Sequence, residues 1–228
     1  MRFLIRDGFA CYQGPAAGGS RHRHAAFQIA IGADVAMVDD AAVQHRGPAL
    51  VVPPMTWHRL LPSADLRTYF VDPQCAFADR LRGYGGITVV DALADLRDED
   101  LGPAAAQASD GFDPRLVDAM ELTLSEWQLS MPEHAARVGI SPQRLRSVAR
   151  ETLGMPLSRW RIWTRLRRAA EGLAEGLAEG QSLADAAVTA GFADQAHLTR
   201  WMREMIGLTP TEVLPALRAA PSAPRSTR

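Results

Sequence analysis

The sequence predicts a two-domain α+β protein, with an N-terminal antiparallel β-barrel followed by a C-terminal all-α domain that holds two helix-turn-helix units. Short strand-like runs separated by turn residues fill the first seventy residues, and the pattern becomes helical from Pro73 onward. Two similar pairs of short helices follow residue 130. With 228 residues, 47% of them hydrophobic, the chain is long enough for two such domains.

The strand-like runs of residues 1–72 are short and are bounded by turn-forming pairs such as Gly14-Pro15 and Pro53-Pro54. Several short strands at this spacing are typical of a small antiparallel barrel or sandwich. The predicted strands cover residues 2–6, 9–12, 25–31, 49–52 and 66–71.

Residues 73–112 are predicted to form a helical connector that ends in a linker. Phe77, Leu81, Leu93 and Leu96 recur at helical spacing, while residues 102–112 are small and polar. Two interpretations of the apolar positions stay open: the connector docks the domains or forms a homodimer, or it covers the barrel's own core. Asp113, followed by proline, predicts the start of the first helix of a C-terminal domain at residues 113–218.

Each helix-turn-helix unit of this domain has a capping residue and a turn glycine. In the first unit, residues 132–137 precede a turn at Gly139, and Ser141 is predicted to cap the second helix. In the second unit, Ser182 caps residues 183–190, Gly191 makes the turn, and Asp194 caps the last helix. Glycine suits such turns because it adopts left-handed backbone angles at little cost.

A long helix is predicted between the two units, capped by Ser158 and running toward Glu179. Residues 172–175 are repeated at once as residues 176–179, and the glycines weaken the helix, so we expect a partial loop-out there. Residues 219–228 are predicted to be a disordered tail.

The two halves of the chain differ in charge. Residues 1–130 carry 11 Arg against 17 Asp and Glu, or −6, and residues 131–228 carry 14 Arg against 9, or +5. Between residues 134 and 168 there are nine Arg and a single acidic residue, Glu151. This charge pattern indicates that the second half binds an anion.

Polar residues on the second helix of each unit are the candidate DNA contacts. Gln143, Arg146, Ser147 and Arg150 share one helical face, on which Arg146 suits guanine and Gln143 suits adenine. Arg144 and Arg150 are predicted to bind phosphates. The matching residues of the second unit are Gln195, His197, Arg200 and Arg203.

Sequence runs in the second half resemble the signature of AraC-type transcription regulators. The second unit carries SLADAA (182–187), GFADQAHLTR (191–200) and GLTP (207–210), and the first carries GISPQRL (139–145), GMPL (154–157) and RLRRAA (165–170). The resemblance covers about residues 113–214. It implies a sequence-specific transcription regulator that binds double-stranded promoter or operator DNA, with RNA polymerase as a partner if it activates. A cytoplasmic location is expected separately, because no run is apolar enough for a membrane span or a signal peptide.

The strand-rich half resembles a cupin, the barrel that often serves as the effector sensor of such regulators. His22, His24 and Gln28 follow the first cupin motif, with Gln28 in the place of the common Glu. His58 follows the second motif, in which Met55 stands where glycine is usual. The resemblance leaves two alternatives: these residues hold a divalent transition metal, or they line a pocket that binds a small-molecule effector or merely packs. His45 and His134 are predicted to lie in solvent.

Two other classes of protein are alternatives to a transcription regulator. A metal-dependent cupin enzyme with an appended DNA-binding domain needs an open coordination position on the histidines. An architectural DNA-binding protein would not need a barrel. Cys11 and Cys75 are predicted to be buried free thiols, and no apolar run predicts a membrane partner.

Overall fold

The computed structural model describes residues 1–176 and 181–218. The predicted tail at residues 219–228 lies outside the described residues, and so do residues 177–179 of the second repeat copy, where the predicted loop-out falls in part. Strands occupy the N-terminal part and helices the C-terminal part, which confirms the two-domain α+β prediction.

Seven strands of the described part of the chain form one antiparallel sheet. Its hydrogen-bonded order is β1-β2-β6-β3-β4-β7, and β5 pairs with β3 beside this path. The strands are β1 Arg2–Arg6, β2 Phe9–Ala16, β3 Phe27–Asp39, β4 Gln44–Val52, β5 His58–Leu60, β6 Ser63–Val71 and β7 Thr88–Val89.

The sheet is not a closed barrel, so this part of the prediction is corrected. Within the described residues, β1 and β7 each pair along one side only, which leaves the sheet with two edges. A bulge between Ile31 and Val35 bends β3, whose first part pairs with β6 and whose second part pairs with β5. The bend folds the sheet around its core without joining its edges.

The connector packs against the sheet. It contains α1 Ala76–Asp79 and α2 Asp98–Ala105, and β7 lies between them. Phe77, Leu81 and Leu96 are buried in one cluster with Phe9 and Tyr69 of the sheet. These contacts agree with the interpretation that the connector covers the core of the sheet, while the domain boundaries themselves stay predictions.

In the C-terminal part, the described residues form seven helices: α3 Pro114–Ser125, α4 Met131–Arg137, α5 Pro142–Leu153, α6 Leu157–Gly176, α7 Leu183–Thr189, α8 Gln195–Ile206 and α9 Pro210–Arg218. The predicted caps at Asp113, Ser141, Ser182 and Asp194 each accept a backbone N–H. The predicted cap at Ser158 is wrong, because α6 already begins at Leu157. No helix of the described residues is long and apolar enough to cross a bilayer.

The core of the helical domain extends into the N-terminal domain. Ala25 and Ala26, which directly precede β3, are buried in one cluster with residues of α3, α5, α6 and α8. Asp72 accepts a hydrogen bond from Trp163 Nε1 at 3.0 Å and pairs with Arg167. The two domains therefore pack closely through apolar and charged contacts.

Candidate nucleic-acid interface and histidine site

The exposed face of α5 carries the predicted DNA contacts of the first unit. Its apolar residues point inward: Leu145, Val148, Ala149 and Leu153 are buried. Gln143, Arg144, Arg146 and Arg150 are exposed, and Ser147 is half-buried. Gln143, Arg146, Ser147 and Arg150 line one shallow depression together with Glu151, which sequence reasoning did not include. Glu151 accepts a hydrogen bond from the Ser147 hydroxyl.

The exposed face of α8 carries the matching residues of the second unit. Leu198, Met202 and Met205 are buried, whereas Gln195, Arg200 and Arg203 are exposed. His197 differs, because its ring lies edge-on to Phe192 and accepts a hydrogen bond from Trp201 Nε1 at 2.8 Å. These contacts favour a supporting role for His197, and its contact with DNA stays a prediction.

The chain positions α5 and α8 by the same local devices. The helix before each one, α4 or α7, begins with a serine capping box, and a turn glycine with positive φ follows it: Gly139 at 70° and Gly191 at 87°. Both α5 and α8 end in a left-handed glycine, Gly154 or Gly207. Helix α6, with 20 residues, is about 30 Å long and links the two units.

The three predicted ligand histidines come together at the interface between the domains. His22, His24 and His58 are buried, and one ring nitrogen of each lies within 4.8 Å of the others. The rings of His22 and His58 are 4.3 Å apart between centroids, and paired backbone hydrogen bonds join these two residues.

The hydrogen bonds of the three imidazoles fix their tautomers. Nδ1 of His22 donates to the Ser20 carbonyl at 2.8 Å, Nδ1 of His24 to Ala26 at 2.8 Å, and Nδ1 of His58 to Thr56 at 2.9 Å. A backbone carbonyl on Nδ1 leaves the lone pair on Nε2, as in histidines that bind metals. Among the described residues, the buried Nε2 of His58 has no hydrogen-bond partner.

Gln28 completes the site. Its side-chain oxygen lies 2.9 Å from His24 Nε2, and its amide nitrogen donates to the Thr68 hydroxyl at 3.0 Å. In this orientation the oxygen is a fourth atom, beside the three imidazole nitrogens, that could coordinate a metal ion. Rotation of the amide would instead let its N–H donate to His24 Nε2. The four predicted residues thus form one cluster.

Burial keeps the three imidazoles neutral. Desolvation lowers the pKa of His24 to about 4, with a contribution from the neighbouring His22. Desolvation also lowers the pKa of His22, and it lowers that of His58 well below the usual value. Neutral imidazole is the form that binds a metal, so the site needs no deprotonation near neutral pH.

Comparison with known proteins identifies the helical domain. Residues 134–215 match the family described as "Helix-turn-helix domain". No curated protein sequence matches the chain. The structure of ToxT from Vibrio cholerae O395 is similar at a TM-score of 0.59 and 11% identity, over 93% of this chain and 99% of that one. ToxT of strain SCE256 with a bound unsaturated fatty acid has a TM-score of 0.60 at 11% identity, over 98% and 100% of the chains.

An AraC-type DNA-binding domain protein from Chromobacterium violaceum is 26% identical over 46% of this chain and 93% of its own, with a TM-score of 0.41. The ToxT structures share the two-domain fold. Residues 134–215 form an AraC-type helix-turn-helix domain. The protein is a DNA-binding transcription regulator.

Proposed function

We propose that this regulator reads two adjacent segments of operator DNA with α5 and α8 and that an effector bound by the N-terminal domain controls the reading. The observation that carries the proposal is that two capped helices, joined by α6, each present an exposed polar face rich in Arg. Helix α6, which links the two units, is about 30 Å long, close to the ~34 Å between major-groove segments on one side of DNA.

The exposed arginines take different roles in this proposal. Arg146 and Arg200 lie on the polar faces of α5 and α8, where a guanidinium can bind a guanine edge through two hydrogen bonds. Arg144, Arg150 and Arg203 are assigned to phosphates, which hold the protein in register without reading sequence. A homodimer and a contact with RNA polymerase stay predictions.

The assignment is tested on a DNA duplex that the protein itself has selected from a pool of random sequences. We expect Arg146→Ala and Arg200→Ala each to weaken specific binding by about 5- to 100-fold and to relax the preference at separate base pairs. Arg144→Ala is expected to weaken binding to all sequences alike. It should also reduce the slope of log affinity against log salt concentration by about 1, since one phosphate contact is lost. Fluorescence anisotropy at several salt concentrations measures both effects.

The matched control is Arg46→Ala, which removes an exposed arginine of the sheet that pairs with Asp34. Its DNA affinity should equal that of the unsubstituted protein. Equal affinity for all duplexes, with salt as the only determinant, would contradict sequence-specific reading and support an architectural protein.

We further propose that the effector site is the cluster of His22, His24, His58 and Gln28, and that it holds a divalent transition metal. The neutral imidazoles with lone pairs on Nε2 suit such an ion. Nε2 of His58, which has no hydrogen-bond partner among the described residues, offers the ion a buried lone pair. When bound, the ion would supply a positive charge that draws the three rings together. The backbone carbonyls on Nδ1 would hold each ring in its ligating orientation.

Cobalt titration tests the metal proposal, because Co²⁺ bound to protein nitrogens gives visible d–d absorption. We expect about one equivalent of Co²⁺ to bind, and His24→Ala to abolish the absorption. His45→Ala is the control, since His45 pairs with Asp39 outside the cluster. Loss of the absorption in both variants, or in neither, would show that the cluster is not the site.

An organic effector is the alternative that the ToxT structure with an unsaturated fatty acid suggests. An apolar cavity lies between β1, α6 and α9, lined by residues such as Phe3, Leu166 and Leu217. Its volume of about 80 Å³ is well below the roughly 300–1,000 Å³ of typical organic ligand sites. The histidine cluster is therefore the better-formed site in this conformation.

The position of the cluster favours sensing over catalysis. A metal enzyme needs a coordination position that its substrate can reach. His24 and His58 are 1% and 0% exposed, and the ring of Trp163 from α6 lies 6.2 Å from that of His24 between centroids. The metal-dependent cupin enzyme thus requires the helical domain to move away before each turnover.

A further inference from the structure

The segment that carries His22 and His24 holds the C-terminal end of α8. The hydroxyl of Ser20 donates to the carbonyl of Gly207 at 3.0 Å, and the N–H of Arg23 donates to the carbonyl of Glu204 at 3.3 Å. The last four carbonyls of a helix have no partner within the helix. Two of these four carbonyls in α8 are therefore satisfied by the N-terminal domain.

The contact is also steric. Gly207 ends α8 with φ 77°, and a Cβ placed on it would lie 2.6 Å from His22 Nδ1 and 3.0 Å from the Ser20 carbonyl oxygen. The glycine thus lets the backbone of α8 touch the imidazole of a predicted metal ligand. The ring of His22 cannot shift toward α8 without displacing the helix end.

The end of α5 is not connected to the histidines in this way. Arg82 of the connector donates to the Thr152 carbonyl near that end, at 2.5 Å, and Arg82 is not part of the cluster. Gly154 ends α5 with φ 73°, and a Cβ placed on it would meet no atom of the described residues within 4 Å. The two recognition helices share a capping geometry but differ in their contact with the effector site.

We propose that occupation of the histidine cluster acts on DNA reading through α8, the second recognition helix, and leaves α5 unaffected. The inference rests on the proposed function for its effector. A ligand that holds His22, His24 and His58 restrains residues 20–24, and these residues hold the last turn of α8 through Ser20 and Arg23. Ligand binding would therefore favour the arrangement in which α8 is docked, which is a difference in affinity between two states.

Hydrogen exchange of the full-length protein, with and without Co²⁺, measures the coupling. We expect Co²⁺ to slow exchange about fivefold in residues 20–24 and in the last turn of α8, and to leave α5 within about twofold. Coupling is reciprocal, so a change made on α8 must also alter the affinity for Co²⁺. Gly207→Ala is expected to weaken Co²⁺ binding by about tenfold or more, because its methyl group collides with His22.

Gly154→Ala is the matched control, because it introduces the same left-handed alanine at the end of α5 in open space. It should leave Co²⁺ binding and the exchange of residues 20–24 unchanged. Ser20→Ala is the milder variant if Gly207→Ala does not fold: it removes the hydroxyl donor and keeps the carbonyl that orients His22. We expect it to reduce the effect of Co²⁺ on α8 to less than about twofold.

The outcomes separate the two proposals. Cobalt absorption with slower exchange at residues 20–24 but unchanged exchange at α8 would overturn the coupling and leave the metal site standing. Absence of cobalt absorption would overturn the metal site, and the coupling is then judged without metal. In that case Gly207→Ala should speed exchange at residues 20–24 more than Gly154→Ala does, and equal effects would overturn the coupling too.

Discussion

His134 is a titratable side chain with no exposed surface in the first helix-turn-helix unit. Burial lowers the pKa of its imidazole, and the charge of Arg161 lowers it further. The folded protein therefore holds His134 neutral at pH values where the unfolded chain is protonated. The sequence-based prediction that His134 lies in solvent is wrong, because a histidine in a seven-residue helix gives no sign of which face it occupies.

The stability of the protein should depend on pH through His134. Below its unfolded pKa of about 6.5 the unfolded chain binds more protons than the folded protein, so the free energy of unfolding falls as the pH falls. His134→Leu removes this contribution. We expect the variant to lose less stability than the unsubstituted protein between about pH 7.5 and 5.5 in urea unfolding. Equal losses would show that His134 binds protons alike in both states.

Burial should also make the thiols inert. It raises the pKa of Cys11 to about 12 and that of Cys75 to about 11, and both thiols are free, as predicted. Because the thiolate is the reactive form, we expect neither cysteine to react with iodoacetamide at about pH 8 in the folded protein. Mass spectrometry should find two modified cysteines in urea. Rapid modification of the folded protein would show that the sheet opens locally.

For the histidine site, the sequence predicts which residues cluster but not every contact that they make. The family resemblance placed His22, His24, Gln28 and His58 in one cluster, and the structure brings them together. Met55, which stands where the motif usually has glycine, adopts φ 63°, so the position keeps the glycine-like backbone. The contact between His22 and Gly207 could not be predicted, because the two residues are 185 positions apart and no local pattern links them.

At the scale of elements, capping residues define the two helix-turn-helix units. Ser182 and Asp185 form a capping box at the start of α7: the Asp185 N–H donates to Ser182 Oγ at 3.1 Å, and the Ser182 N–H donates to Asp185 Oδ2 at 3.2 Å. Ser130 and Glu133 form the same box at the start of α4. Each box satisfies two backbone groups that the helix leaves without a partner.

Loss of the capping box in the second unit should lower the stability of the protein. Ser182→Ala removes the acceptor for the Asp185 N–H, and we expect the free energy of unfolding to fall by about 1 kcal/mol. Thermal or urea unfolding measures the change. Thr189→Ala, at an exposed site in the same helix, should change it by less than about 0.5 kcal/mol. A similar effect of both substitutions would mean that the cap contributes no specific stability.

The elements that sequence analysis predicted correctly are those with strong local signals. The helices of both units carry caps, turn glycines and apolar spacing, and their bounds follow these residues closely. Strands β5 and β7 were missed because three and two residues cannot show an alternating pattern. The second part of β3 was missed because the bulge after Ile31 interrupts the alternation.

At the scale of the whole molecule, Asp72 joins the two domains. Its carboxylate, 6% exposed, accepts a hydrogen bond from Trp163 Nε1 and pairs with Arg167, whose Nε also donates to Glu171 at 3.0 Å. Sequence analysis predicted both domains but not this pair, because its members are 95 residues apart. Such partners are determined by packing after both domains have formed.

Removing the charge of Asp72 should lower the stability of the protein substantially. Asp72→Asn leaves the mostly buried guanidinium of Arg167 without its interdomain counter-ion, and we expect the free energy of unfolding to fall by about 3 kcal/mol. Asp34→Asn breaks the exposed pair with Arg46 and should cost less than about 1 kcal/mol. Urea unfolding monitored by circular dichroism compares the two variants. Equal costs would show that the interdomain pair behaves as a surface pair.

The burial of Ala25 and Ala26 in the core of the helical domain also bears on gene fusion. A hybrid that takes its sensor half from another regulator could be joined at the predicted linker, near residue 112. A different N-terminal domain joined there would replace Ala25 and Ala26, and side chains larger than alanine at these two positions would not fit the packed core of the helical domain. A working hybrid of this protein should therefore keep residues 20–26 together with the helical domain, because these residues pack against it although they lie far from the linker in sequence.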